Sequence, residues 1–496
     1  MTLAAIADSG RDYPLRIPVM ATAHDSARLV THPAQLTQAL ELQRRAFAAS
    51  PCPGFGERRD RLARLARMLR EHAAGIRDAI SADFGQRAGE ETELLEVFTS
   101  LEGVAHARRH LRRWMQTERR AVAWWSLPGR ARLMRQPLGV VGIIVPWNYP
   151  LYLAVSPLTA AIAAGNRAML KLSEHTPRFG ALFESIVARS FAADEVVAFN
   201  GDAAVAKVFA SLPFDHLLFT GSTAVGREVM KAASANLTPV TLELGGKSPV
   251  IVATGFDLAE TARRVMYGKL INAGQTCVAP DYALVPKPLV NPFIDACRAA
   301  TRDYYPALAT NPQYTSIASE RQYRRLAGYL DDAREQGASI HPLHEEASDA
   351  ERRRLSPVAL TDVSDAMRVM QDEIFGPILP VVGYDTIDDA IAYVSARPRP
   401  LALYYFGARD RNLEAVLERT VSGGVTVNNT ALHVVQENLP FGGVGPSGMG
   451  EYHGRAGFDR FSKLKPVFID GRLSATSLLA PPYGRRFRAI LGLLKR

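Results

Sequence analysis

Short, uninterrupted apolar runs alternate with helical segments from residue 138 onward, and this alternation constrains the fold most. The runs are VVGIIV, AMLKL, VVAFN, HLLFTG, PVTLEL and PVIVA, and between them Arg178–Ser190 and Ala224–Ala235 have helical composition and spacing. Continuous apolar strands separated by helices are typical of a parallel sheet covered on both faces. Such a sheet binds ligands beyond the carboxyl ends of its strands. The polar motifs PWN, KLSE and TGS each follow one of these runs directly.

A second α/β series extends from about Phe256 to Val427, with the strand candidates YALV, PILPVV, ALYYF and GVTVN. Upstream of both series, apolar residues at helical spacing between residues 58 and 84 predict a long amphipathic helix. A chain of 496 residues is too long for one ordinary core. We therefore predict two large α/β domains with a smaller appendage.

The net charge of +9 (59 basic minus 50 acidic residues) is concentrated in an arginine-rich stretch from Arg108 to Arg135 that contains one acid, Glu118. A nucleic-acid surface is one interpretation of this stretch. However, Trp114, Trp124 and Trp125 interrupt the arginines and no nucleic-acid motif accompanies them. We favour a solvated or subunit-facing surface and predict no nucleic-acid partner. The composition, 47% hydrophobic and 22% charged, is that of a folded protein.

The three cysteines, Cys52, Cys277 and Cys297, are too few for a disulfide framework, and no two are spaced like metal ligands. We predict a reducing, cytoplasmic setting and no metal site. The opening run MTLAAIA is ended by Asp8 and Arg11, too early for a signal peptide.

Two apolar segments are candidates for contact with a membrane. Residues Gly139–Gly165 carry no charge, but Pro146, Asn148 and Pro150 interrupt them, so we predict a buried strand, a turn and a buried helix. We predict no transmembrane segment. The late segment RRFRAILGLLKR is basic and apolar but too short to span a bilayer. It would lie on a membrane surface or dock on the protein, and docking is favoured.

Cys277 lies in NAGQTCVAP, a glycine-containing polar segment after a helical run. A lone cysteine is most often a small core residue. Here Gly274, Gln275 and Thr276 suit a tight loop better than a packed core, which favours a nucleophile. Because a free thiol is only a few per cent thiolate at neutral pH, such a site must lower the thiol pKa or supply a base.

Glu243 ends an apolar strand candidate in TLELGGKSP, and Asn148 follows another in PWNYP. Glu243 is either a structural, partner-bound carboxylate or a general base whose pKa is raised in an apolar cleft. On spacing alone Asn148 is better explained as a turn residue. Its functional alternative is an amide donor to a developing oxyanion.

Three motifs offer contacts for a nucleotide. Gly221 and Gly226 frame TGSTAVG, which follows a strand candidate and opens a helix, so backbone amides would face a pyrophosphate. This spacing alone is weak support. Lys171 and Glu174 lie beyond another strand candidate, and Glu373 lies in DEIFGP; each is either a surface charge or a ligand of a ribose hydroxyl.

Taken together and in this order, the motifs resemble those of the aldehyde dehydrogenase superfamily over roughly residues 30 to 470. The matching segments are PWNYP, LKLSEHTP, FTGSTAVG, LELGGKSP, GQTCVAP, EIFGP and FGGVGPSGMGEYHG. The pairing of LELGGKSP with GQTC, 34 residues apart (277 minus 243), is highly specific. Within the superfamily the chain resembles the class 3-like branch, and most of all the coniferyl aldehyde dehydrogenases.

The resemblance implies an α/β fold with a Rossmann-like cofactor domain, a second α/β catalytic domain and a small oligomerisation element. The implied boundaries are 30–244 for the NAD(P)-binding domain with 114–137 as oligomerisation segment, 245–430 for the catalytic domain, 431–475 for an interface segment and 476–496 for a tail. A homodimer is also implied.

The resemblance further implies that Cys277 attacks a small-molecule aldehyde and forms a thiohemiacetal. Asn148 and the Cys277 backbone N–H would hold its oxyanion, hydride would pass to NAD(P), and Glu243 would activate the water that hydrolyses the thioester. The implied cofactor contacts are Trp147, Lys171, Glu174, Gly221, Ser222, Gly226, Glu373 and Phe375. Glu174 favours NAD over NADP, since it would repel the extra phosphate, although NADP stays open.

Alternatives remain for the reaction and the substrate. A cysteine hydrolase needs a base such as histidine, and none lies beside GQTC. A CoA-acylating relative would lack the glutamate base, and a crystallin-like structural homologue would need no catalytic set. The substrate would be coniferyl or a related aromatic aldehyde, or a broad range of aldehydes. Tyr152, Tyr282 and Phe441 are candidates for aromatic contacts with it.

Overall fold

The computed structural model describes residues 31–472 and 479–495. The opening run considered as a signal peptide therefore lies outside the described residues. The strands are, in chain order, β1 (Glu118–Arg120), β2 (Arg130–Pro137), β3 (Val140–Ile144), β4 (Arg167–Lys171), β5 (Val196–Phe199), β6 (His216–Thr220), β7 (Val240–Glu243), β8 (Pro249–Val252), β9 (Tyr282–Pro286), β10 (Ser339–Pro342), β11 (Val358–Thr361), β12 (Ile378–Tyr384), β13 (Ala402–Phe406), β14 (Gly424–Val427), β15 (Gly448–Met449) and β16 (Ser462–Ile469).

The α-helices begin near the first described residue and continue to the last part of the chain. They are α1 (Pro33–Ala49), α2 (Phe55–Phe84), α3 (Gly89–Thr92), α4 (Thr99–Trp114), α5 (Tyr152–Ala164), α6 (Pro177–Ser190), α7 (Ala203–Ser211), α8 (Thr223–Ser234), α9 (Leu258–Leu270), α10 (Val290–Tyr304), α11 (Glu320–Glu335), α12 (Arg368–Gln371), α13 (Ile387–Ser395), α14 (Arg411–Arg419), α15 (Gly454–Arg460) and α16 (Arg485–Leu494). A π-helical turn, Glu93–Phe98, joins α3 to α4, and a 3₁₀ turn, Ile271–Gly274, follows α9.

The strands form three sheets. The first has six strands in the order β15-β7-β6-β3-β4-β5, parallel except for β15, and the second has seven in the order β10-β11-β12-β9-β8-β13-β14, parallel except for β10. A small antiparallel sheet joins β1, β2 and β16. The predicted parallel-sheet α/β architecture is confirmed. The predicted domain boundary at 244/245 falls between β7 and β8 and stays a prediction.

Both faces of the first sheet are covered, as its continuous apolar strands predict. Helices α2, α4, α5 and α6 contribute to the core on one face, and α1, α7 and α8 to the core on the other. The long amphipathic helix predicted over residues 58–84 is α2, whose buried stripe is Leu62, Leu65, Leu69, Ile76 and Ile80. The uncharged segment 139–165 forms β3, a turn and the buried helix α5, also as predicted.

None of the helices among residues 31–472 and 479–495 has the length and apolar character that crossing a bilayer requires. The segment RRFRAILGLLKR forms α16, and no residue of that helix is buried. Its apolar residues Phe487, Ile490, Leu491 and Leu494 are partly exposed, and the expectation that the segment docks on the protein stays a prediction.

Candidate active site

Cys277 lies in a loop that the backbone turns sharply after α9. Asn272 and Ala273 have left-handed φ values of 52° and 51°, and Gly274 follows with 76°. Non-glycine residues in this conformation are strained and are held by their surroundings. The Gln275 side chain holds this loop, because its amide donates to the carbonyls of Asn272 (2.9 Å) and Ser316 (3.1 Å). Cys277 as a whole residue is partly buried.

Asn148 is tied to the same loop. Its side-chain Nδ2 donates to the carbonyl of Gln275 at 3.2 Å, and its own carbonyl accepts from Asn272 Nδ2 at 3.1 Å. The neighbouring Tyr149 hydroxyl lies 2.8 Å from Thr276 Oγ1. Since Nδ2 carries two hydrogens and one is used here, the second is available to another acceptor. The structure thus brings Asn148 and Cys277 together.

A buried ion pair that sequence reasoning missed supports the Asn148 loop. Arg87 Nη1 contacts Glu96 Oε1 at 2.6 Å, and both side chains are fully buried. Glu96 Oε2 accepts from the backbone N–H of Leu151 (2.8 Å) and Tyr152 (3.2 Å) at the start of α5. Arg87 also donates to the Asn148 carbonyl at 3.3 Å. No motif marks either residue in the sequence.

Glu243 ends β7 and is almost completely buried. Neither carboxylate oxygen has a hydrogen-bond partner among the described residues. Burial raises the pKa of Glu243 well above its usual value; the charge of Arg460 opposes the rise and that of Glu451 adds to it. An unpaired carboxyl with a raised pKa has the properties of a general base.

The pKa of Cys277 is raised to about 12, first by desolvation and then by the negative charges of Glu373 and Glu243. The backbone N–H groups of Cys277 and Val278 oppose this rise. A nucleophilic thiol needs either a lowered pKa or a nearby base. Because the surroundings of Cys277 raise its pKa, they favour activation by a nearby base. The carboxylates that raise the pKa are also the nearby groups able to accept the proton.

Glu373 lies against the two glycines that follow Glu243. It accepts a hydrogen bond from the Gly246 N–H, and a β-carbon at Gly245 would collide with its carboxylate. Burial, assisted by the charge of Asp281, raises the pKa of Glu373 to about 8. Its Oε1 is buried without a partner among the residues described here. Gly245 and Gly246 therefore allow the Glu373 carboxylate to lie close to the backbone. Oε1 of Glu373 remains available to a ligand.

Two aromatic residues lie next to these loops. Phe375, with a left-handed φ of 54°, contacts Trp147 edge-on at 5.5 Å between ring centroids. Trp147 also packs near Phe84, at 6.1 Å. The structure thus brings together Trp147 and Phe375, which lie 228 positions apart in the chain (375 minus 147).

The remaining predicted cofactor contacts lie at the carboxyl ends of β4 and β6. The Lys171 ammonium donates to the Leu172 carbonyl at 2.6 Å and lies 3.8 Å from Glu174 Oε2. Burial lowers the pKa of Lys171, and the charge of Glu174 opposes that effect. Because β4 and β6 both pair with β3, these residues face the same edge of the sheet.

The turn after β6 has the form of an anion site. Ser222 caps α8, its Oγ accepting from Val225 N at 3.4 Å, and leaves the first helical N–H groups facing outward. A β-carbon at Gly226 would collide with Leu244, and one at Gly221 with Phe219. The N-terminus of α8 fits the phosphates of a dinucleotide. The Lys171–Glu174 pair and the free oxygen of Glu373 fit its ribose hydroxyls.

Of the three aromatic candidates, Tyr152 and Phe441 both contact His453. The Tyr152 hydroxyl contacts His453 Nε2 at 3.2 Å, and the His453 ring stacks on Phe441 at 5.3 Å. Tyr282 instead packs against Tyr393 in the core of the second sheet. The prediction of Tyr282 as a substrate contact is wrong, because β9 directs it into that core.

Similarity to known proteins extends over most of the chain. The model of the aldehyde dehydrogenase family matches residues 8–467. A probable coniferyl aldehyde dehydrogenase of Pseudomonas aeruginosa is 50% identical over 457 residues, 92% of this chain and 95% of that protein. The substrate-bound structure of Staphylococcus aureus AldH is similar with a TM-score of 0.87 and 35% identity, covering 92% of this chain and 99% of that one. An aldehyde dehydrogenase of Mycobacterium tuberculosis complexed with NAD⁺ has a TM-score of 0.79 and 30% identity, covering 88% and 90%.

The chain belongs to the aldehyde dehydrogenase family. It is an NAD(P)-dependent enzyme of that family, as its sequence predicted. The assignment of individual site residues to catalytic steps remains a proposal.

Proposed function

We propose that the enzyme oxidises an aromatic aldehyde of the coniferyl type to its acid, with NAD as the preferred cofactor. The observation that carries this proposal is the arrangement of a partly buried cysteine, Cys277, beside the Asn148 amide and the unpaired, buried Glu243 carboxyl. These are the nucleophile, oxyanion donor and general base that a covalent two-stage oxidation needs.

In the first stage Cys277 Sγ bonds to the aldehyde carbon as its proton passes to a base. The carbonyl electron pair moves onto oxygen, and the free hydrogen of Asn148 Nδ2 and the Cys277 N–H stabilise that oxyanion. Holding these donors in a site that excludes water strengthens them. The Arg87–Glu96 pair and Gln275 keep both loops in place.

Acceptance of the hydride from the substrate carbon is the chemistry that NAD supplies when bound. Lys171 and Glu174 would hold the adenosine ribose, and Glu373 the nicotinamide ribose. Gly221, Ser222 and Gly226 would present the α8 N-terminus to the pyrophosphate, and Trp147 and Phe375 would confine the nicotinamide side.

In the second stage Glu243 removes a proton from water, the resulting hydroxide attacks the thioester carbon, and the C–S bond breaks. The products are the carboxylic acid and the Cys277 thiolate. A CoA-acylating enzyme would transfer the acyl group to a thiol and would have no use for a buried general base. Glu243, with two unpaired oxygens, therefore favours hydrolysis.

The substrate class is supported by the 50% identity to the probable coniferyl aldehyde dehydrogenase. A cavity of roughly 290 Å³ lies against the end of α9 and the 3₁₀ turn that precedes Cys277, and Glu90 and Glu91 share its lining with apolar and aromatic residues. Its lining includes Leu94, Leu95, Tyr267, Ile271 and Tyr305. Leu95 and Ile271 also pack on Tyr149 and Tyr152, so they connect the cavity with the Asn148 loop.

A trapping experiment tests the reaction. Cys277→Ala should abolish NAD reduction with coniferyl aldehyde, and intact-protein mass spectrometry should show an acyl adduct on the unaltered enzyme but not on this variant. Cys52→Ala, at an exposed cysteine, is the matched control and should retain full turnover and the adduct. Turnover by Cys277→Ala would refute the role of this thiol. Turnover of straight-chain aldehydes as efficiently as hydroxycinnamic ones would instead favour the broad-specificity alternative.

We also propose a homodimer formed through the sheet β1-β2-β16. Trp124, Trp125, Leu127, Phe468 and Ile469 are about half exposed or more on and beside this sheet, and clustered exposed apolar residues mark protein contacts. Trp124, Trp125 and Leu127 belong to the predicted oligomerisation segment 114–137. Sedimentation velocity tests the proposal, since Trp125→Ser and Phe468→Ser together should produce monomers.

A cytoplasmic location is proposed as well. Cys52, Cys277 and Cys297 are all free thiols in the described chain, which suits a reducing compartment.

A further inference from the structure

The helix α16 separates apolar from basic side chains. At about 100° per residue, Phe487, Ile490, Leu491 and Leu494 fall on one side of the helix. Arg485 falls opposite them, and Arg486 and Arg488 fall on the two flanks. Tyr483 precedes the helix, and its ring lies 4.7 Å from that of Phe487, so it extends the apolar side.

The basic residues Arg485, Arg486 and Arg488 of α16 are exposed, whereas its apolar residues Phe487, Ile490, Leu491 and Leu494 are partly exposed. No residue of the helix is buried. Its basic side chains form no ion pair within the described ranges. The helix therefore leaves its charges open to a ligand, and its apolar side is only partly covered.

The segment around α16 carries charge of a single sign. After Asp470 the sequence contains no aspartate or glutamate as far as residue 496. Over the same stretch it contains six basic residues, Arg472, Arg485, Arg486, Arg488, Lys495 and Arg496. A partner that satisfies this segment must be anionic and must also accept an apolar helix face.

We propose that α16 binds the surface of an anionic lipid bilayer. The headgroup region supplies phosphate charges for the arginines, and the acyl boundary below it accepts Phe487, Ile490 and Leu494. Short basic amphipathic helices lie in this interface with their apolar side inserted. A nucleic acid would pair with the arginines but leave the apolar side in water. At about 15 Å in length, the helix binds in the plane of the surface and does not cross it.

Vesicle sedimentation with the full-length enzyme tests this proposal. The protein should bind vesicles of phosphatidylcholine and phosphatidylglycerol but not phosphatidylcholine alone, and raised salt should weaken the binding. Replacing Arg485, Arg486 and Arg488 together by Gln should reduce the partition coefficient on the order of 100-fold. Ile490→Ser with Leu494→Ser should reduce it by a similar factor.

A matched control removes the same charge elsewhere. Arg59, Arg67 and Arg70 are exposed on α2 and form no ion pair among the described residues, so replacing them by Gln should leave vesicle binding intact. All three variants should keep the aldehyde turnover of the unaltered enzyme, which shows that they fold.

Three results would overturn the proposal. The first is equal binding of the α16 variants and the unaltered protein to anionic vesicles. The second is tighter binding to duplex DNA than to vesicles, with the apolar variant unaffected. The third is a change of oligomeric state in the apolar variant without lipid, which would assign α16 to a second copy of the chain.

Discussion

Replacement of Glu243 by Gln should separate the two stages of the reaction. The substitution keeps the size and shape of the side chain but removes its basic oxygen. Because both carboxylate oxygens lack partners among the described residues, no structural hydrogen bond is lost. Any effect on the rate therefore reports the loss of the base.

The size of the effect follows from that role. A positioned general base contributes on the order of 10²–10⁴ in rate, so thioester hydrolysis should slow by that factor. Formation of the thioester uses Cys277 and Asn148 and should change little. The enzyme should then release about one equivalent of NADH per active site in a rapid burst and continue slowly.

Stopped-flow absorbance of NADH measures both phases. Glu451→Gln is the matched control, because the charge of Glu451 raises the pKa of Glu243. Its removal should lower that pKa, so hydrolysis should reach its maximum at lower pH with no burst. Two results would refute the role of Glu243 as the base in hydrolysis. One is a steady-state rate of Glu243→Gln equal to that of the unaltered enzyme, and the other is a Glu243→Gln enzyme that shows no initial burst of NADH.

Four further outcomes follow from the geometry. Asn148→Ala should lower kcat on the order of 10²–10³ without weakening NAD binding in fluorescence titration; an unchanged kcat would show that the amide stabilises no oxyanion. Because the pKa of Cys277 is raised to about 12, its alkylation by iodoacetamide in the free enzyme should accelerate steadily from pH 7 to pH 10, and a plateau in that range would contradict the raised value. Glu96→Ala should lower the free energy of unfolding in urea by about 3–5 kcal/mol, since it leaves a buried arginine unpaired, whereas the exposed Glu71→Ala should change it by no more than about 0.5 kcal/mol. Glu174→Gln should raise kcat/KM for NADP relative to NAD, and an unchanged ratio would show that Glu174 does not select the cofactor.

Much of the architecture was predictable because the signal is local. The runs that became β3, β4, β6 and β7 are continuous and apolar, and the polar residues at their ends mark the ligand edge directly. Cys277, Glu243 and Asn148 were predicted from the ordered set of motifs that resembles a known family, because each motif taken alone is a modest signal.

Other features depend on contacts between distant segments and leave no local trace. The pair Arg87–Glu96 sits among ordinary charged residues, and only the fold shows that both are buried. The left-handed conformations of Asn272 and Ala273 are imposed by the surrounding loops, since only Gly274 signals a turn. Tyr282 was misassigned because its place beside the catalytic motif does not reveal which way β9 directs its ring.

The pairing of β15 with β7 affects how the enzyme matures during synthesis. Gly448 lies opposite Glu243 although 205 positions separate them (448 minus 243). Contacts of such long sequence separation form late, because the intervening chain must first be ordered. Chains emerge from the ribosome N-terminus first. A nascent chain that already contains Cys277 and Glu243 therefore still lacks β15, the strand that completes the sheet edge beside Glu243. We expect the ability to release acid to appear only after residues 448–449 have joined the first sheet, when most of the chain has already been made.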